Sequence, residues 1–148
     1  MEKQFLENLL EQNKMTSSFA FNKISNENAG LRLTQQAASI GFIYRHIGET
    51  IHLFGTFFGV PTDVQNTTIG QSDNGQGKNI EESKQLVEDG YHLLQELIDN
   101  TPGKDWIKTI DTPFFGTIPR LKLFGHILFH TSHHTGQISM TLSRGKDF

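Results

Sequence analysis

Apolar residues recur along this chain at spacings of three and four, in four separate stretches. The first runs from about Lys3 to Ile24, where Phe5, Leu6, Leu9, Leu10, Phe19, Ala20 and Ile24 fall at helical spacings. The polar run SNENAG, from Ser25 to Gly30, breaks it. A second helix is predicted from about Thr34 to Phe58, with Ile40, Ile43, Ile47, Ile51, Phe54 and Phe58 forming one stripe. Gly59, Pro61 and a long polar run to Asn79 follow; TTIGQSDNGQGKN has almost nothing to bury and reads as a mobile loop. Asn79, with Glu82 three residues on, resembles the capping box that starts a helix. That third helix turns Val87, Tyr91, Leu94 and Ile98 inward and stops before Asn100–Gly103, and Gly90 inside it costs about 1 kcal/mol against alanine. Asp111 to Pro119 reads as a turn-rich apolar connection whose Phe114 and Phe115 close the core or shape a pocket entrance. The fourth helix runs from about Pro119, well suited to a first helical position, to Leu142. With no internal repeat and no strand pattern, the economical fold is all-α: one antiparallel four-helix bundle over residues 1–148, with a long loop between helices two and three.

Composition narrows the chemistry. A chain of 148 residues buries a core without staples. Its net charge of −3 supplies no basic field, which argues against a nucleic-acid partner. The absence of cysteine excludes disulfides, thiolate zinc sites, iron–sulfur clusters and a cysteine nucleophile, so any metal must be held by nitrogen and oxygen. MEKQFLENLLEQNK interleaves charged and apolar residues unlike a signal peptide, and no run approaches the roughly 18 apolar residues of a membrane span. The expectation is a soluble cytoplasmic protein that does not engage the membrane.

The candidate chemistry lies in LKLFGHILFHTSHHTGQISM. His126, His130 and His134 are spaced four apart, with His133 alongside. A helix turns about 100° per residue, so these rings stand one turn above another and two of them can aim nitrogens at one cation about 2 Å away. Seven histidines placed at random in 148 residues give roughly 0.3 such pairs, so one pair means little and two overlapping pairs mean more. The competing reading is of histidines held by hydrogen bonds in a core or at a subunit contact. His130 can pair with His126 or with His134, and geometry alone does not choose.

A third ligand must come from elsewhere. On a wheel of helix two, His46 falls within the apolar arc, whereas Arg45, Glu49, His52 and Thr56 fall together on the opposite side. This predicts His46 inward, a surface ion pair between Arg45 and Glu49, and His52 on a solvated face. His92, between Glu88 and Glu96, reads as a weak surface contact. Gly125, Ser132, Gly136 and Ser139 line another face of helix four, where small side chains admit a neighbouring helix of the same chain or of a second subunit.

His46, followed far downstream by His130-x-x-x-His134-x-x-Gln137 in HTSHHTGQI, together with RHIGE and PFFGTIPR, resembles the DinB-like family of metal-dependent enzymes. The resemblance extends over most of the chain. It implies a four-helix bundle, often dimeric, in which one histidine of the second helix and two of the last bind a divalent metal: here His46, His130 and His134. It selects the 130/134 pair because Gly136 and Gln137 follow at the family's offsets. Thr135 stands where many members have arginine, so an activity relying on positive charge there is not implied.

The implied site keeps the full charge of a zinc, nickel, iron or manganese ion and at least one open position, which suits catalysis more than structure. It would activate a water or a small-molecule substrate's thiol, as in hydrolases and thiol S-transferases. His126 and His133, each within about 60° of His130 on the wheel, are the candidates for a catalytic contact. A non-catalytic, stress-related metal-binding homodimer is the alternative. A ferritin-like di-iron reading rests on Glu49-Thr50-Ile51-His52 alone and finds no acidic residue in helix four before Asp147.

Overall fold

Residues 2–148 are described by a computed structural model. Four helices carry most of the chain: α1 (Glu2–Phe21), α2 (Ile40–Phe57), α3 (Ile80–Asn100) and α4 (Arg120–Arg144). All four predicted helices are present, with shifted ends. Helix α2 begins later than predicted because residues 34–39 form a turn, in which Thr34 accepts from the Ala37 amide at 3.0 Å through its carbonyl. Ser39 then caps the helix, its side chain accepting from Phe42 N. Asn79 caps α3 as predicted, accepting from Glu82 N at 3.1 Å.

The chain is not purely helical. A two-stranded antiparallel sheet, β1 (Thr109–Thr112) and β2 (Gly116–Pro119), lies between α3 and α4 where the sequence predicts only a turn-rich connection. Thr112 Oγ1 closes the hairpin by accepting from Phe115 N at 2.9 Å, and Gly116 supplies a φ of 64°. Strands of four residues are too short for alternation to stand out, although Ile118 does turn into the core. Phe114 and Phe115, at the tip, are 50% and 41% exposed, so neither closes the core.

Helix α2 is the centre of the molecule, packed on both α3 and α4, while α1 also packs on α3 and α4. Ile40, Ile47 and Ile51 of α2 are fully buried with Leu94 and Ile98 of α3 and with Leu123, Phe124, Ile127 and Ile138 of α4. The opposite face of α2, expected in solvent, is buried too: Glu49 is 1% and His52 9% exposed. Glycine explains the close approach on this side. A Cβ at Gly48 would stand 2.7 Å from Leu86 Cβ, and one at Gly55 2.9 Å from Leu93 Cδ1. His52 is thereby turned against α3, its Nε2 donating to the Leu86 carbonyl at 3.1 Å.

The 61–79 segment covers the rest of that face, against the expectation of a loop with nothing to bury. Gly77 lies directly on the Gly41 backbone, where any side chain would collide. Asp73 accepts from Ser39 N at 2.8 Å and pairs with Arg32 at 3.0 Å. Thr68 is 2% exposed. Among the described residues, no helix is long and apolar enough to cross a membrane.

Candidate metal centre

His46 leaves the inner side of α2 and meets His130 and His134 from adjacent turns of α4. One ring nitrogen from each of the three lies within 4.8 Å of the others, and this is the group of potential metal ligands among the described residues. His46 Nε2 and His130 Nε2 are 3.1 Å apart. The His134 ring centroid stands 4.7 Å from that of His46 and 4.3 Å from that of His130. Two nitrogens bound at about 2.05 Å to one tetrahedral ion would be roughly 3.3 Å apart, so the observed spacing fits a shared cation.

The surroundings orient the rings. His134 Nδ1 stands 2.6 Å from Gln137 Oε1, an acceptor only, so Nδ1 carries the hydrogen and Nε2 is left as a lone pair. His46 Nδ1 meets Thr68 Oγ1 at 3.2 Å. Thr68 in turn donates to Glu49 Oε2 at 2.6 Å. Glu49 also accepts from Arg45 Nε at 2.6 Å, from Thr67 Oγ1 at 2.7 Å and from Thr67 N at 2.9 Å. Burial pushes the Glu49 carboxyl up, but these hydrogen bonds from Thr68, Thr67 and Arg45 outweigh it and hold the group below its usual range.

The histidines are kept neutral. Burial lowers His46 to about 4, with the His134 charge acting in the same direction and Glu49 against it. His130 is lowered to about 3 by burial and by the surrounding histidines. His134 is lowered by burial, against the hydrogen bond it donates to Gln137 Oε1. Neutral imidazole is the metal-binding form, so all three are competent ligands at neutral pH.

His126 stands on the hairpin side, its ring 4.5 Å from Phe115, 5.5 Å from Phe54 and 6.1 Å from His130 between centroids. Burial lowers its pKa as well. His133 is exposed, stacked on Phe129 and 5.0 Å from the His134 ring. His92 is exposed on α3, as predicted. Thr135 is buried and donates to the Thr131 carbonyl at 2.7 Å. Of the small-residue row, Ser132 accepts from Asn13 of α1 at 2.9 Å, while Gly125 and Gly136 face open space.

Glu49 and Thr68 are the residues that sequence reasoning missed. The wheel placed Glu49 in solvent, and nothing in a polar loop marks one threonine from its neighbours. A signal was present in Gly41, Gly48 and Gly55, seven apart beside the Glu49–His52 face, where close packing is otherwise unexplained. The di-iron reading loses its one element here. Glu49 is committed to Arg45 and the two threonines, and His52 to Leu86.

Among curated proteins, none matches the chain. Among solved structures, a conserved protein from Enterococcus faecalis superposes with a TM-score of 0.71 at 10% identity, covering 95% of each chain, a likeness of fold. The sequence profile of the DinB superfamily matches residues 9–138, and the chain belongs to that superfamily.

Proposed function

We propose that this protein is a metal-dependent enzyme in which His46, His130 and His134 hold one divalent ion, zinc, nickel, iron or manganese, within an antiparallel bundle of the DinB type. The observation that carries the reading is the convergence of three neutral imidazoles within 4.8 Å. An ion so held keeps its charge and an open position, and supplies Lewis-acid activation of a water or of a substrate thiol. The chain's own residues supply the rest. Gln137 fixes the His134 ring, and Phe54, Phe114 and Phe115 form an apolar wall beside the cluster. His126, neutral and set in that wall, is the candidate to take a proton from a bound substrate, with exposed His133 the lesser candidate.

The test is metal content by mass spectrometry on tag-free protein. About one divalent ion per chain is expected, lost in His46→Ala and His130→Ala and retained in His126→Ala. A wild type that stays metal-free after dialysis against zinc or nickel overturns the site. Full loading with no turnover of any thiol or ester, in wild type and His126→Ala alike, overturns the enzyme and leaves a metal-binding protein.

A homodimer through the α1/α4 face belongs to the same proposal. Phe5, Leu9 and Phe19 of α1 and Leu121 and Met140 of α4 are all at least 46% exposed, and Gly125 and Gly136 leave room for a close neighbour.

A further inference from the structure

The 61–79 loop contributes no ligand to the three-histidine cluster, yet it supplies two threonines to a buried hydrogen-bond chain that ends on one. Glu49 receives Arg45 Nε and Thr67 Oγ1 on one oxygen and Thr67 N and Thr68 Oγ1 on the other. An ionised carboxylate only accepts, so Glu49 is the acceptor in all these contacts and the Thr68 hydroxyl hydrogen points at it. A hydroxyl has one hydrogen. The contact between Thr68 Oγ1 and His46 Nδ1, at 3.2 Å, must then be made by a hydrogen on Nδ1. A neutral imidazole carries one N–H, which leaves His46 Nε2 bare and directed at His130 Nε2, 3.1 Å away.

We propose that Thr68 and Glu49 are positioning residues for metal binding: Glu49 claims the Thr68 hydrogen, Thr68 accepts from His46 Nδ1–H, and His46 is thereby locked in the tautomer that offers Nε2 to the ion. The inference rests on the three-histidine metal reading for its second half and on hydrogen-bond directions alone for its first. The relay differs from the contact at His134, where Gln137 lies one turn along the same helix. Here the partner comes from a separate segment, so seating of the loop and readiness of the ligand are one event. Thr68 is 2% exposed, so water does not substitute for it.

Thr68→Val keeps the shape and removes the acceptor, and Thr68→Ser restores it. Long-range proton–nitrogen NMR of histidine-labelled, metal-free protein at neutral pH reads the His46 tautomer. Zinc affinity is read separately by competition with a chromophoric chelator, and thermal unfolding checks that each variant folds. Wild type and Thr68→Ser are expected to show His46 protonated on Nδ1. Thr68→Val is expected to lose that signature and to bind zinc about 10–100-fold more weakly, the usual effect of removing such a partner. An unchanged tautomer in Thr68→Val overturns the relay. A changed tautomer with unchanged affinity overturns the positioning role. A wild type that binds no zinc while Thr68→Val still shifts the tautomer overturns the metal reading and upholds the relay.

Discussion

Replacing Glu49 with alanine distinguishes a surface helix pair from a buried anchor, because the two differ several-fold in energy. An exposed pair at i,i+4, as the helical wheel implies for Arg45 and Glu49, is worth about 0.3–0.5 kcal/mol. In the folded chain the Glu49 side chain is 0% and the Arg45 side chain 12% exposed, and four donors converge on the carboxylate. Removing one partner of a buried pair costs about 3–5 kcal/mol, because the other charge and its donors stay behind. Glu82 remains 3.2 Å from Arg45 Nη1 and relieves part of that charge, which places Glu49→Ala near the lower end, about 3 kcal/mol. Urea unfolding of the metal-free protein at neutral pH, with chelator present, measures this without any contribution from a bound ion. For a chain of this size the same loss lowers the melting temperature by about 6–12 °C. The depressed carboxyl adds a sign. Its stabilisation is complete above the unfolded carboxylate range and is lost as pH falls through the lower folded value. A loss in Glu49→Ala under about 1 kcal/mol would refute the argument that the loop and α2 are joined through this carboxylate.

Acid is expected to weaken the fold through the histidines as well. Above about pH 6.5 neither state protonates them; below it the unfolded chain takes up protons, while folded His46 and His130 resist until about 4 and about 3. Stability of the metal-free protein should therefore fall from about pH 6.5 downward, and a His46→Asn/His130→Asn double variant should lose most of the slope above the carboxylate range. Gly48→Ala should be destabilising, because a Cβ 2.7 Å from Leu86 Cβ and 3.1 Å from Val87 N overpacks α2 against α3. Its cost of about 1–3 kcal/mol outweighs the gain in helix propensity; chemical unfolding that showed Gly48→Ala more stable would contradict the packing. Light scattering should find two chains per particle, and Phe19→Asp, at a position 68% exposed, should give one without loss of helix signal. A wild-type monomer at all concentrations removes the dimer from the proposal.

The helices and their inward faces were legible because burial imposes a period. Ile40, Ile47 and Ile51, Val87, Leu94 and Ile98 announce themselves by spacing alone, and so does the cap at Asn79; spacing offered His130 with either His126 or His134, and the family resemblance chose the second. The sequence also placed His46 inward, since it sits in an apolar arc. A wheel, however, divides a helix into one dry and one wet half, and α2 has no wet half: α3 lies along its glycines and the loop covers what remains. Whether Glu49 and His52 meet solvent depends on neighbours far away in the chain, which no local pattern encodes. The same holds for the hairpin, whose strands are defined by each other rather than by their own four residues. Local spacing thus narrowed the candidate ligands to His46 and the row His126, His130 and His134. Only tertiary packing decided which rings met and what oriented them, because His46 and His130, 84 positions apart, come together where α2 packs on α4, and Thr68 reaches His46 through the path of a polar loop with no periodicity of its own.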